Sequence, residues 1–192
     1  MKVLAVDVEE ARRRLERVDA DVEDVDGGWR ARFGGATVEA AGESEVEVRG
    51  NVERVENLLG DGGRARVYFD GASRGNPGTS AVAYVVEDDV GALVAKGRVI
   101  GRATNNEAEY TALLAGLAEA RALGFDRVTA IGDSELVVRQ VAGDWRCRAD
   151  NLKPLLEEVH AVVDDFEEFE IKHVPREVNE RADGLANEAL DA

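Results

Sequence analysis

Arg66-Val67-Tyr68-Phe69-Asp70-Gly71-Ala72-Ser73-Arg74-Gly75-Asn76-Pro77-Gly78 decides how the rest of the chain is read. Val67 to Phe69 is a short β-branched and aromatic run, so it predicts a strand. That strand ends at Asp70, and a loop dense in Gly, Ser, Asn and Pro follows. An acid at the end of a buried strand is costly to desolvate unless something pairs with it. Two readings are open. One is a polar hairpin turn. The other is a metal-binding carboxylate beside a backbone that a nucleic acid can approach, with Gly71, Gly75 and Gly78 leaving room for a sugar-phosphate chain. The stretch alone does not choose between them; three carboxylates further along do.

Downstream, Ser80–Glu87 and Ala92–Ile100 read as strands joined by a turn at residues 88–91, which completes an antiparallel meander. Thr104-Asn105-Asn106-Glu107 is a capping box that starts a helix with Tyr110, Leu113, Leu114 and Leu117 as its apolar stripe. Glu109 lies in its first turns, either complementing the helix dipole or serving a site. Val128–Ile131 is a fourth strand running into Gly132-Asp133-Ser134 and a short helix over Ser134–Val141. Asp133 there is either that helix's N-cap or a ligand. A further helix falls within Ala149–Phe166 and a fifth strand at Glu168–Val174. Asn179 caps a last helix, with Asp183 in its first turn. The order β-β-β-α-β-α-α-β-α implies a mixed five-stranded sheet, three strands antiparallel and two parallel, flanked by helices.

Upstream, residues 1–60 read as a separate, small α+β unit. A strand at Lys2–Val8 leads to a helix at Glu9–Val18 carrying Arg12, Arg13 and Arg14. That basic run is a solvated helix face, given the acids around it. Strands follow at Trp29–Phe33, Thr37–Ala40 and Glu45–Val48, then a helix at Val52–Leu59 capped by Asn51. Gly60 closes that helix, and residues 61–64 form a glycine-rich linker to a catalytic domain over 65–192. The small unit carries no catalytic constellation. An accessory part in substrate binding or stability is expected of it.

The 192 residues hold 40 Asp and Glu against 24 Lys and Arg, a net charge of −16. Such acidity ordinarily argues against a nucleic-acid partner. In molar salt, however, the Debye length falls to ~3 Å and an acidic surface becomes tolerable, so a salt-adapted protein is expected. Cys147 is the lone cysteine, which fits a reducing, cytoplasmic setting. No apolar run reaches membrane-spanning length.

Asp70, Glu109, Asp133 and Asp183 all fall at the ends of elements. Strand ends and helix N-termini of such a sheet gather on one edge, so acids far apart in sequence can meet. Clustered carboxylates call for hard divalent cations, Mg²⁺ or Mn²⁺. Two such ions form the clamp used for attack of water on a phosphodiester. The chain offers no Ser-His or Cys-His nucleophile pair and no zinc spacing.

Four pieces in order resemble the type 1 ribonucleases H: Y-F-D-G-A-S-R-G-N-P-G (Tyr68–Gly78), T-N-N-E-A-E-Y (Thr104–Tyr110), G-D-S-E-L-V (Gly132–Val137) and N-E-R-A-D-G-L-A (Asn179–Ala186). The resemblance covers about residues 64–192. Taken with the acidic composition and the separate upstream unit, it points to a salt-adapted archaeal member with an extra N-terminal domain; a monomer is expected. It also implies two-metal cleavage of the RNA strand of RNA–DNA hybrids to 5′-phosphate and 3′-hydroxyl ends. Asp70, Glu109, Asp133 and Asp183 match the metal ligands. Gly71, Asn76, Thr104, Asn105, Asn106, Ser134 and Glu135 match positions near the hybrid. Two departures stand out. The basic handle after the fourth strand is reduced to Gly143–Arg148. The loop histidine before the last helix is replaced by Pro175-Arg176-Glu177-Val178, where Arg176 or Glu177 is the expected partial substitute. The alternatives are cleavage of double-stranded RNA as well, or a catalytically silent hybrid-binding module.

Overall fold

A computed structural model describes the whole chain, Met1–Ala192. It divides into two compact units: Met1–Arg64 with Ala122–Asp126, and Ala65–Arg121 with Arg127–Ala192. The first unit is therefore not a plain stretch ending near residue 60. Five residues from mid-chain group with it, and Asp126 accepts a hydrogen bond from the Gly62 N–H at 2.9 Å.

In the first unit, β1 (Lys2–Ala5) leads to α1 (Val8–Arg17). β2 (Asp21–Val25), β3 (Gly28–Phe33), β4 (Ala36–Ala40) and β5 (Glu45–Gly50) follow, then α2 (Val52–Leu59). The sheet order is β1-β5-β4-β3-β2, all neighbours antiparallel. The expected first strand stops early because Asp7 caps α1, accepting from Glu10 N at 2.7 Å. β2 was not expected at all. Its sequence, Asp-Val-Glu-Asp-Val, is poor in strand formers, and pairing supports it instead: Arg32 reaches Asp21 at 3.0 Å and Glu23 at 3.4 Å. Asn51 stands at the start of α2 but does not cap it; its Nδ2 donates to the Gly34 carbonyl at 3.2 Å. Leu15, Ala31, Val38, Val46, Val48, Val55 and Trp29 are buried. Trp29 is only 2% exposed.

The second unit holds β6 (Arg64–Gly75, whose first residue groups with the first unit), β7 (Gly78–Glu87), β8 (Ala92–Ala103), α3 (Asn105–Ala122, whose last residue groups with the first unit), β9 (Arg127–Gly132), α4 (Glu135–Val141), α5 (Lys153–Val163), β10 (Glu168–His173) and α6 (Glu180–Asp191). The sheet order is β10-β9-β6-β7-β8. β6, β7 and β8 form an antiparallel meander, and β10 runs parallel to β9. The molecule is thus mixed α/β with two five-stranded sheets, the first holding five strands where four were expected.

β6 does not end at Asp70. It continues to Gly75 and turns through Asn76-Pro77 into β7, with Gly75 opposite Gly78. Asp70 is therefore mid-strand, paired with Ala83. The glycines explain the continuation. Gly75 has φ +99°, and a methyl on Gly78 would collide with the Arg74 carbonyl.

Residues 80–86 of β7 are all buried, so both faces of this strand are covered. α3 packs on the face of Val67 and Tyr84, close enough that a side chain on Gly116 would strike both. The Tyr84 hydroxyl donates to Glu119 at 2.8 Å and Lys96 reaches the same carboxylate at 3.2 Å, tying α3 across β7 and β8. α6 lies against Gly97 of β8, which pairs with Ala83 and so faces the other side. The α4–α5 connector leaves Trp145 47% exposed.

Candidate active site

The cleft is built from four elements of the second unit. β6 supplies Asp70 at its midpoint. α3 supplies Glu109 in its second turn, with the capping box formed as its sequence predicts. The Thr104 N–H and Oγ1–H each donate to Glu107 at 2.7 Å, and Glu107 N donates back at 3.2 Å. β9 delivers Asp133 just beyond its end. α6 delivers Asp183 in its first turn.

Glycine sets two of these approaches. Gly71 and Phe69 alternate with Asp70, and a methyl on Gly71 would overlap the backbone of Ala108 and Glu109. The expected space for a sugar-phosphate chain at Gly71 is thus occupied on that side by α3. The Gly71 N–H donates to the Glu109 carboxylate. At the end of β9, a methyl on Gly132 would meet the Phe69 ring, so the strand reaches Asp133 only over a bare backbone.

Asp133 is not the N-cap of α4. Ser134 is, its Oγ accepting from Val137 N at 3.4 Å, and this leaves the Asp133 carboxylate to the cleft. Asp70, Glu109 and Asp133 each offer one oxygen, and those atoms all lie within 4.8 Å of one another. Asp183 lines the same cavity of about 360 Å³, together with Gly71, Asn105, Ser134, Arg176 and Asn187. Asp183 stands outside the three-way cluster and accepts from Arg176 Nη2 at 2.5 Å.

The electrostatics follow from this crowding. Burial first, then the charges of Asp133 and Asp183, push the Asp70 carboxyl up to about 7, against an opposing pull from Arg176. Glu109 is also raised, by burial and then by Asp70 and Asp133. Its Oε2 is buried without a hydrogen-bond partner. A buried carboxylate oxygen with no donor is a poor structural element and a good cation ligand. Four oxygen donors with no nitrogen or sulfur among them suit a hard divalent ion.

The other expected site residues divide. Asn76 accepts from Asn105 N at 3.2 Å, joining the hairpin turn to the start of α3. Thr104 is taken up by the capping box, and Asn106 follows Asn105 in the first turn. Glu135 pairs with Arg139 at 3.6 Å and does not line the cavity. Other residues near the site take parts that the sequence did not assign them. His173 at the end of β10 places Nε2 3.2 Å from the Asp133 carbonyl, to which it donates in the Nε2–H tautomer. Asn187 donates to the Asp183 carbonyl at 2.9 Å. Asn179 does not cap α6 with its side chain. Its buried Nδ2 donates to the Phe69 carbonyl at 2.9 Å, pinning α6 to the residue before Asp70.

Comparison with known proteins bears on this geometry. A family model described as reverse transcriptase-like matches residues 68–189. Ribonuclease HI of Halobacterium salinarum is 41% identical over 100% of this chain and 99% of its own length. The additional N-terminal domain expected above is therefore not supported, because the relative matches this chain from end to end. Among solved structures, RNase H1 of Halobacterium salinarum is 48% identical with a TM-score of 0.66, covering 67% of this chain and 98% of that one. The N-terminal RNase H domain of a Mycobacterium tuberculosis protein is 39% identical with a TM-score of 0.65, covering 67% and 99%. LC11-RNase H1, solved in complex with an RNA/DNA hybrid, is 35% identical with a TM-score of 0.63, covering 66% and 96%. With its sheet order, its carboxylate cluster and a full-length match to such a relative, the chain belongs to the ribonuclease HI family of nucleases.

Proposed function

We propose that this chain hydrolyses the RNA strand of RNA–DNA hybrids, leaving 5′-phosphate and 3′-hydroxyl ends. In this reading Asp70, Glu109, Asp133 and Asp183 are the catalytic ligands of two Mg²⁺ or Mn²⁺ ions. The observation that carries it is the Asp70–Glu109–Asp133 cluster within 4.8 Å, one of whose buried oxygens has no partner. When bound, a pair of such ions supplies an activated water and charge neutralisation at the leaving 3′-oxygen. The chain's own residues do the rest. Burial and mutual repulsion raise the Asp70 and Glu109 carboxyls, so a cation held there would favour their charged forms. The Asn76–Asn105 contact fixes the hairpin turn against α3, and Asn76, Asn105, Asn106 and Ser134 present small polar groups to the hybrid. Such groups are the kind that read a 2′-hydroxyl. The hybrid bound to LC11-RNase H1 supports this substrate class.

The protein works here as a monomer in a reducing, salt-rich cytoplasm. The first unit assists substrate binding or stability. Arg12, Arg13 and Arg14 are engaged by Glu16, Asp24 and Glu10, which favours stability.

The test is a single assay on hybrid, duplex RNA and duplex DNA of one sequence with Mg²⁺ or Mn²⁺. Hybrid should be cut, and Asp70→Asn or Asp133→Asn should reduce cleavage to background while circular dichroism stays native. Wild-type rates in either variant would remove these carboxylates from the role. Equal cutting of duplex RNA would widen the substrate class.

A further inference from the structure

Asp183 differs from the other three carboxylates in its company. Asp70, Glu109 and Asp133 hold no cation of the chain, whereas Asp183 accepts from Arg176 Nη2 at 2.5 Å. Arg176 opens the 3-10 turn Arg176–Val178 between β10 and α6, and its side chain lines the cleft. The backbone of Asp183 is fixed on both sides, donating to the Asn179 carbonyl at 3.1 Å and accepting from Asn187 at 2.9 Å. Its side chain is held by Arg176. The pair is asymmetric: the Arg176 side chain is 69% exposed and Asp183 25%.

We infer that Arg176 is a resident counterion on Asp183 which the second divalent cation must displace, so that this arginine sets the metal concentration at which the site fills. The inference rests on the metal-site reading above. A guanidinium bonded to Asp183 neutralises part of a four-carboxylate cleft while no metal is there. It also repels a dication arriving beside it, because two cations cannot share one carboxylate without cost. The exposed end of Arg176 lets it swing into solvent, so the pair is a threshold and not a block. The first cation, on the three clustered carboxylates, is predicted to be far less sensitive to Arg176 than the second. Arg176 is thus a positioning residue that acts through Asp183.

Calorimetric titration of Mn²⁺ into the full chain without nucleic acid tests this, with Arg176→Gln, Arg176→Lys and Asp133→Asn in parallel. Arg176→Gln should tighten the weaker binding event by about two- to fivefold and lower the half-saturating Mn²⁺ for hybrid cleavage in proportion. Arg176→Lys, which keeps the charge, should stay near wild type. Molar KCl should shrink the difference between wild type and Arg176→Gln. Unchanged or weaker Mn²⁺ binding by Arg176→Gln overturns the inference. Asp133→Asn separates the two failures. If it loses Mn²⁺ binding while Arg176→Gln behaves as wild type, only the counterion role falls. If it binds Mn²⁺ as wild type does, the metal-site reading falls first.

Discussion

Asp70 keeps its proton to about pH 7 in the metal-free protein, because burial and the neighbouring Asp133 and Asp183 oppose its charge. Two outcomes follow. Cation binding must expel that proton at lower pH, so Mn²⁺ affinity should climb as pH rises through about 7; calorimetry across that range checks it. The sign for stability is the reverse. The unfolded carboxyl ionises near the ordinary value of 3.8 and the folded one near 7. Its contribution is complete below the lower value and lost as pH rises to the upper one. Asp70→Asn should therefore gain on the wild type in melting temperature between those values in chelator, and Mg²⁺ should reverse the ranking. The four acids that line one cavity were legible in the sequence because each sits in a distinctive motif. Asn187 and the bond from His173 to the Asp133 carbonyl were not, because they depend on which helix face and which strand register come together. Asn51 and Asn179 look like caps in sequence, yet their amides serve the carbonyls of Gly34 and Phe69.

At the scale of elements, the close seating of α3 on β6 is what brings Glu109 to Asp70. Gly71→Ala inserts a methyl into the backbone of Ala108 and Glu109. It should cost about 1–3 kcal/mol of stability and depress hybrid cleavage beyond what the lower melting point explains, read by thermal unfolding beside the nuclease assay. Most strands and helices of the second unit were visible as periodic runs. The reach of β6 through its glycines was not, because a turn-rich composition hides a strand whose glycines are needed for close packing. β2 escaped for the opposite reason: its acids argue against a strand locally, and its support comes from arginines on β3.

For the whole molecule, the −16 charge is distributed over an ion-paired surface. Arg30 and Arg49 share Glu39, and Arg30 and Arg32 share Glu23, so cations are bridged by acids that remain in excess. Screening should relieve that excess more than it weakens the pairs. The melting temperature should therefore rise as KCl goes from about 0.1 M to several molar, where the Debye length falls from ~10 Å to ~3 Å. Full thermal stability in dilute, metal-free buffer would contradict it.

The two tryptophans, one in each compact unit, give the protein an internal optical label. Trp29, shielded from water, should emit at short wavelength and resist iodide quenching; Trp145, about half exposed, should emit at longer wavelength and quench more readily. A red shift during denaturation would therefore report chiefly the opening of the first unit, and ligand-dependent quenching would belong chiefly to the second.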